Sequence, residues 1–271
     1  MLRQRLISGL ILSIGLVSLI LFLPKDYLIY FMALLTAISL WEFLSLRFSA
    51  IISIILICCC LVLFYLSQFL WLNKIFLGLN VLTYVGLFFL ILSFPVSKPL
   101  IQRNSFWLIS GVFIHVGFFS SLYFLINQED LLLGFGMEMG GRTLLLLIIL
   151  ISVLMDSIAY FGGKKYGNTK LLPNVSPNKT FEGFILAIII TPLVVLLITG
   201  GFVEKGFYKF IILILIASFT SVIGDATISL FKRVAEVKDT GNLIPGHGGL
   251  LDRMDSHIAT IPMFLFILFL M

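Results

Sequence analysis

The stretch TLLLLIILISVLMDSIAYFG, residues 143–162, decides the class of fold, because it is a helix-length apolar run with a single charge. About 20 apolar residues in an α-helix cross the roughly 30 Å hydrocarbon core of a bilayer. The charge is the carboxylate of Asp156, and a carboxylate at the centre of a bilayer costs about 2.5–3.5 kcal/mol on insertion scales. The run therefore predicts a transmembrane helix. On it, Asp156 either meets solvent at the interface or forms one wall of a polar cavity.

The whole chain shares the apolar character of this stretch. Of its 271 residues, 60% are hydrophobic and 11% are charged, and the mean hydropathy is +1.16. An average soluble domain is about 45–50% apolar and about 25% charged, so the excess apolar surface must face lipid. We predict an all-α polytopic membrane protein with about nine transmembrane helices and a polar site at the cytoplasmic interface. Short turns between the second, third and fourth helices leave a count of eight or ten open. The predicted spans are 6–23, 27–46, 51–70, 75–94, 106–126, 143–162, 183–203, 207–230 and 254–271.

The distribution of lysine and arginine predicts the orientation, because cytoplasmic loops carry an excess of both. With the N-terminus inside, most of the 18 Lys and Arg residues lie inside, together with the polar stretches 163–182 and 232–255. The formal net charge of +5 then reflects orientation and contact with anionic lipid or nucleotide, and nucleic acid is not an expected partner. No targeting peptide is evident, so we expect a multi-pass protein of a bacterial inner membrane with its site facing the cytoplasm. The residues predicted inside are Arg3, Arg5, Arg47, Lys98, Arg103, Lys164, Lys165, Lys170, Lys179, Lys232, Arg233, Lys238 and Arg253.

The acidic residues predict where function is concentrated. Most of the 13 carboxylates follow residue 150, so we divide one continuous membrane domain into N-terminal helices, 1–142, and a C-terminal catalytic region, 143–271. In the N-terminal part, Glu42 stands beside Trp41 near a predicted membrane edge and is interpreted as an interfacial residue.

The segment SPNKTFEG, residues 176–183, precedes a predicted helix and has the features of an anion site. Pro177 disfavours the α conformation for the residue before it. Lys179 and Thr180 can then donate to an anion at the free N–H groups of the helix start. Glu182 would orient Lys179 or hold a metal. The alternative interpretation is a serine-capped helix start with an ordinary solvated lysine.

A polar stripe is predicted late in the eighth span. On a helix, Asp225, Ser229 and Lys232 occupy positions i, i+4 and i+7 and therefore share a face. Gly224 allows a backbone or a ligand to approach closely. A stripe of this kind on a membrane helix faces protein or water rather than lipid.

The densest polar segment is KDTGNLIPGHGGLLDRMDS, residues 238–256. Its glycine-rich turn, residues 245–249, can cradle phosphate oxygens with backbone N–H groups. Asp252 and Asp255 are three residues apart and so lie on one side of a helical turn. Two carboxylates directed at one place favour a cation between them, and oxygen ligands without a Cys/His set favour Mg²⁺ or Mn²⁺ over zinc. The alternative interpretation is a loop of solvated charges.

These motifs together carry a resemblance to a known family. Four segments in the C-terminal part resemble the signature of phosphatidate cytidylyltransferases, the CDP-diacylglycerol synthases. They are Ser229-Leu-Phe-Lys232-Arg233, Lys238-Asp239-Thr-Gly, residues 244–249 and Asp252-Arg253-Met-Asp255. The segment 176–183 is similar to a second motif of that family, and the resemblance covers roughly residues 150–260. It implies that the protein converts CTP and phosphatidate into CDP-diacylglycerol and pyrophosphate. The expected cofactor is Mg²⁺, and a second metal ion or a monovalent cation is a candidate for an additional cofactor.

The implied reaction and the motifs together suggest a role for each of several residues. The expected metal ligands are Asp225, Asp252 and Asp255. The expected catalytic residues are Lys179, Lys232, Arg233, Asp239, His247 and Arg253. The expected substrate-binding residues are Ser176, Thr180, Glu182, Ser229, Lys238, Gly246, Gly248 and Gly249. The expected partners are CTP, phosphatidate and membrane lipid. The sequence leaves open whether two copies of the chain form a homodimer.

Three other functions stay open on sequence alone. One is a CTP-dependent transferase acting on another membrane lipid, such as an isoprenoid alcohol or an ether lipid. Another is a cation-coupled transporter, although transporters place ionisable groups near the bilayer midplane, often in inverted repeats, and no repeat is evident. The third is a non-catalytic membrane scaffold, which gives no reason for two converging carboxylates beside a glycine-rich turn.

Overall fold

In the computed structural model of this protein, the described residues are 13–129, 131–133, 137–200, 207–244 and 248–271; the side chains of 131–133, 137 and 138 are not described. Within these ranges the chain is almost entirely helical. The helices are α1 (Ser13–Phe22), α2 (Lys25–Ser45), α3 (Ala50–Leu66), α4 (Leu70–Leu92), α5 (Lys98–Ile101), α6 (Asn104–Asn127), α7 (Gly141–Tyr166), α8 (Phe181–Ile198), α9 (Phe207–Val234), α10 (Leu251–Met254) and α11 (His257–Leu270).

The helices confirm an all-α polytopic membrane protein. Among the described residues, seven helical segments are long and apolar enough to cross a bilayer, namely α2, α4, α6, α7, α8, α9 and the α10–α11 segment, residues 251–270. The described part of α1 and the whole of α3 are apolar but shorter than these. Every predicted span thus has a helix, and the count of nine membrane crossings stays a prediction.

In the part of the chain that the structure describes, two short antiparallel strand pairs interrupt the helices. Strands β1 (Leu131–Leu133) and β2 (Met137–Met139) pair before α7. Strands β3 (Lys170–Leu172) and β4 (Ser176–Thr180) pair between α7 and α8, with Lys170 opposite Thr180 and an irregularity before Leu172 meets Ser176. The second hairpin is the more important one, because it carries the predicted anion segment as a strand.

The beginning of α8 differs from the sequence prediction. The helix starts at Phe181 rather than near Gly183, and its N-cap is Thr180, whose Oγ1 accepts a hydrogen bond from the Gly183 N–H at 3.3 Å. A cap hydroxyl that satisfies a free N–H of the first turn is the usual stabilisation of a helix start. Ser176 lies in β4 and pairs with Leu172 of β3. The alternative interpretation, in which a serine caps the helix, was therefore wrong.

Helices α9 and α6 form the centre of the bundle. Phe43 of α2, Trp107 of α6 and Phe231 of α9 are fully buried, and their rings meet in tilted and edge-to-face contacts with centroids 4.8–5.2 Å apart. One hydrophobic core includes buried side chains from Ile20 to Leu265. This core crosses residue 142, so the two predicted regions pack together, and the division between them stays a prediction.

Glycines allow the helices around the polar residues to pack very closely. A Cβ on Gly183 of α8 would lie 2.5 Å from the Ala159 carbonyl oxygen and 2.8 Å from the Gly163 nitrogen of α7. A Cβ on Gly224 of α9 would lie 2.8 Å from the Ala259 Cβ of α11. The sequence predicted that a backbone or a ligand could approach Gly224 closely, and in the structure the neighbouring protein segment at the start of α11 does so. Both contacts bring the polar residues of α7, α9 and α11 together.

Candidate active site

A cavity of about 480 Å³ lies between α7, β4, α8, α9, α10 and α11. It brings together residues far apart in sequence: Asp156 from α7, Lys179 from β4, Asp225 from α9, and Asp255 between α10 and α11. The cavity is therefore lined by carboxylates with a cation among them. Its full lining is Val153, Asp156, Ser157, Ala159, Tyr160, Leu171, Ser176, Asn178, Lys179, Thr180, Phe184, Val222, Asp225, Asp252, Arg253, Asp255, Ser256 and His257.

Lys179 and Asp225 form an ion pair in this cavity. The Lys179 Nζ lies 2.6 Å from the Asp225 Oδ2, and the two side chains are 21% and 25% exposed. Burial by itself would lower the pKa of Lys179, but the carboxylates of Asp225 and Asp156 outweigh it and raise that pKa above its ordinary value. Lys179 is therefore a stable cation at neutral pH.

The predicted polar face of α9 is present. Ser229 donates from its Oγ to the Asp225 Oδ1 at 3.3 Å, and Lys232, one turn further on, reaches Asp252. The helical spacing of i, i+4 and i+7 was therefore a sound guide to which side chains of this helix act together.

Asp252 is held by four donors. Its Oδ1 lies 2.6 Å from the Lys232 Nζ, and the two side chains are 7% and 14% exposed. Its Oδ2 accepts from the Thr240 N–H at 2.8 Å, the Thr240 hydroxyl at 3.0 Å and the Gly249 N–H at 3.0 Å. The carboxylate therefore organises the loop before α10, and Oδ1 is the oxygen with accepting capacity left.

Asp255 and Asp156 complete the acidic wall. Asp255 Oδ1 accepts from the backbone N–H of Ser256 at 2.9 Å, and the Ser256 hydroxyl donates to the Asp156 Oδ2 at 2.7 Å. Asp156 was a candidate cavity wall on sequence grounds but had no assigned role. Its signal was the single charge in the apolar run of residues 143–162. Asp252 and Asp255 both line the cavity, but they have different partners.

Several predicted site residues contact the protein backbone. Glu182, in the first turn of α8, accepts from the backbone N–H groups of Asn168 at 3.0 Å and of Thr169 at 3.0 and 3.1 Å, and so ties α8 to the segment that leads into the β3–β4 hairpin. The Arg233 Nε donates to the Val175 carbonyl at 3.1 Å and ties α9 to the same hairpin. These contacts position the hairpin over the cavity.

The remaining predictions fall on the loop between α9 and α10. Lys238 and Asp239 are exposed, and Gly248 has a positive φ of 88°, which favours glycine. Gly249 is buried, and its N–H is already donated to Asp252. His247 and Gly246 lie outside the described residues, as does Pro245. The phosphate-cradle interpretation of this turn stays a prediction.

Glu42 of α2 is the residue that sequence reasoning misjudged. It was interpreted as interfacial, but it is only 5% exposed and contacts the loop before α10. It accepts from the N–H groups of Leu250 at 2.9 Å and Leu251 at 2.8 Å, and from the Thr240 hydroxyl at 3.1 Å. Its one sequence signal was a carboxylate within an apolar run, the same signal that marked Asp156.

The donor chemistry of the cavity fits Mg²⁺, which prefers oxygen ligands. Asp156, Asp225 and Asp255 supply carboxylate oxygens around one space, although no three His, Cys, Asp or Glu side chains in the described ranges form a metal-holding group by themselves. Mg²⁺ commonly takes one or two protein carboxylates and completes its shell with water and substrate phosphates. The residues therefore fit a metal that binds together with a phosphate substrate.

Comparison with known proteins matches this chain, from residue 3 to residue 271, to the Cytidylyltransferase family. The chain belongs to the Cytidylyltransferase family. Bacterial relatives named phosphatidate cytidylyltransferase are similar over different extents. The one from Staphylococcus haemolyticus is 32% identical over 263 residues, which is 92% of this chain and 94% of the relative. The one from Haemophilus influenzae is 43% identical over 135 residues, 48% of this chain and 46% of the relative. The one from Bacillus subtilis is 47% identical over 116 residues, 42% of each chain.

Membership of the Cytidylyltransferase family gives the cavity a chemical context. Family members transfer a nucleotidyl group, so their sites must handle several phosphates and the charge that develops during transfer. A cavity in which Lys179 lies among the carboxylates of Asp156, Asp225 and Asp255 has the charged groups needed for this chemistry.

Proposed function

We propose that the protein transfers the cytidylyl group of CTP to phosphatidate and forms CDP-diacylglycerol and pyrophosphate. The observation that carries the proposal is the cavity in which the Lys179–Asp225 ion pair lies beside Asp156 and Asp255. Support comes from the family match and from bacterial relatives named phosphatidate cytidylyltransferase.

The two substrates explain the location of the site. One is a soluble polyanion and the other a lipid with a phosphate headgroup, so the enzyme needs a charged cavity close to a membrane interface. The cavity is bounded by the β3–β4 hairpin and by the turn between α10 and α11, while its helical walls continue into apolar segments. We propose that this end faces the cytoplasm of a bacterial inner membrane, where CTP is available; the lysines and arginines predicted inside support this orientation.

The transfer is a displacement at the α-phosphorus of CTP. An oxygen of the phosphatidate phosphate attacks in line and forms a new O–P bond. The bond from the α-phosphorus to the bridging oxygen of the β-phosphate breaks, and pyrophosphate leaves with that electron pair. A phosphate monoester is largely ionised at neutral pH, since its second pKa is about 6, so a strong general base is not required. Positioning and neutralisation of charge supply most of the rate enhancement.

The chain's own cations neutralise the phosphates in this proposal. Lys179 is held at the cavity by Asp225, and Arg253 lines the same wall. Lys232 is held by Asp252 and Arg233 by the hairpin, so both are pre-oriented. Asp239 and Lys238 would orient and supplement this charge, and His247 would hydrogen-bond a phosphate. Ser176, Thr180 and Ser229 would donate hydroxyl hydrogen bonds, and Gly246 and Gly248 would bring backbone N–H groups close to a phosphate.

Mg²⁺ is the proposed cofactor, and Asp225, Asp252 and Asp255 would hold it. When bound, a divalent ion would neutralise charge on the nucleotide phosphates and on the leaving pyrophosphate. Whether a second metal ion or a monovalent cation joins it stays open, and a homodimer stays a prediction.

A labelling experiment tests the function. The purified protein in detergent would be given phosphatidate, Mg²⁺ and CTP labelled either at the α- or at the γ-phosphorus. We expect the α-label in a CDP-lipid and the γ-label in pyrophosphate. If the α-label enters lipid when an isoprenoid alcohol is the acceptor, but not when phosphatidate is, the proposed cytidylyl transfer would stand and the proposed acceptor would be wrong.

A further inference from the structure

We propose that Glu42 is a positioning residue of the active site, which fixes Thr240 and residues 250–251 and thereby the carboxylate of Asp252. This inference rests on the proposed function. Glu42 does not line the cavity, so it acts through the groups it holds rather than on a substrate.

The contacts of Glu42 join distant parts of the chain. Its Oε1 accepts from the Leu250 N–H, and its Oε2 accepts from the Leu251 N–H and the Thr240 hydroxyl. These donors are 198 to 209 residues away in sequence. Leu250 and Leu251 stand at the start of the one-turn helix α10, so the carboxylate of an N-terminal helix satisfies free N–H groups at the start of the segment that carries Asp252.

Thr240 connects Glu42 to Asp252. Its hydroxyl oxygen lies 3.1 Å from the Glu42 Oε2 and 3.0 Å from the Asp252 Oδ2. A hydroxyl has one proton, so it donates to one carboxylate at a time. The two carboxylates therefore share a donor, and the position of Asp252 depends on the position of Glu42.

Two glycines of the signature loop pack against Glu42. A Cβ on Gly241 would lie 2.8 Å from the Glu42 Oε1, and a Cβ on Gly249 would collide with the Glu42 carboxylate. A side chain at either position would therefore displace the Glu42 carboxylate and, at Gly249, the Thr240 hydroxyl as well. The packing against Glu42 explains the glycines at positions 241 and 249 without any role in phosphate binding.

The burial of the carboxylate makes the arrangement specific. Glu42 is 5% exposed, and removing its acceptors would leave buried N–H groups without partners. In Glu42→Gln one oxygen becomes an NH₂ group, which cannot accept from a backbone N–H. One of the two contacts to Leu250 and Leu251 is then lost, whichever way the amide points.

The test compares Glu42→Gln with Glu236→Gln, a matched change at a glutamate whose side chain is 79% exposed. We expect Glu42→Gln to lower kcat by about tenfold or more, as the loss of one buried hydrogen bond to a charged group implies, while the yield of folded protein stays near that of the wild type. Amide hydrogen exchange in the peptide spanning 248–252 should rise in Glu42→Gln, and exchange in α6 should not. Glu236→Gln should match the wild type in every measurement.

A second variant separates positioning from general stability. Thr240→Val keeps the side-chain volume and removes the shared hydroxyl. We expect Glu42→Gln and Thr240→Val to be non-additive in kcat, because both break the same connection to Asp252. Unchanged kcat in Glu42→Gln with a lowered melting temperature, or additive effects, would overturn the positioning role. A wild-type protein without cytidylyl transfer would instead refute the proposed function, and the exchange measurement would still decide whether Glu42 anchors the loop.

Discussion

The Lys179 Nζ lies 2.6 Å from the Asp225 Oδ2, which joins the hairpin between α7 and α8 to the polar face of α9. Lys179 comes from the predicted anion segment, residues 176–183, and Asp225 comes from the predicted polar stripe of the eighth span. Their pairing inside one cavity makes those motifs parts of a single site.

Replacing Asp225 by asparagine keeps the shape of the side chain and removes its charge. We expect turnover to fall by about a hundredfold or more, because the proposed metal ligand and the counter-charge of Lys179 are lost together. Steady-state kinetics in detergent, normalised to folded monodisperse protein, measures this. Normal kcat would remove Asp225 from the site.

Lys179→Met removes the cation of the same pair, and its effect on stability should not depend on pH across the neutral range. The pKa of Lys179 is raised, so the contribution of the ion pair is present below the ordinary lysine pKa and is lost only as pH rises through the raised value. The difference in melting temperature between wild type and variant should be equal at pH 7.5 and pH 9. A difference that shrinks towards pH 9 would show that Lys179 loses its proton earlier.

Lys232→Met should destabilise the protein by leaving the Asp252 carboxylate unpaired. The pair is nearly buried, and breaking such a pair by removing one partner typically costs about 3–5 kcal/mol. The double variant Lys232→Met/Asp252→Asn should recover thermal stability without recovering activity. If the double variant recovers neither thermal stability nor activity, or recovers both, the pair does not have separate structural and chemical roles.

Gly183→Ala tests the close packing of α7 against α8. The added methyl would meet two backbone atoms of α7 within 2.8 Å, so the helices must separate and the hairpin must shift. We expect a lower melting temperature and a higher KM for CTP. Gly86→Ala on α4 is the control, since a Cβ there has no neighbour within 4 Å, and it should be neutral.

The sequence was most informative where geometry is local. Apolar runs of helix length predicted the spans, and spacing on one helix predicted the shared face of Asp225, Ser229 and Lys232. Helix periodicity did not predict the β3–β4 hairpin, because a three-residue strand has too few positions to show a period.

Contacts between distant segments were beyond the sequence. Glu42 meets Thr240 across 198 residues, and no local pattern near either residue indicates the partner. The spacing of Asp252 and Asp255 suggested a shared target, and both residues line the cavity. The groups that hold Asp252, Lys232 and Thr240, come from other segments, and the spacing did not indicate them. Such pairings depend on how the helices pack, which one sequence does not specify.

Pyrophosphate release tests the central claim most directly. The purified protein in detergent would be assayed with CTP, Mg²⁺ and phosphatidate, and with each of the three omitted in turn. The account predicts release with all three and none when any one is missing. Release that continues without phosphatidate, or no release with the complete mixture, would contradict it.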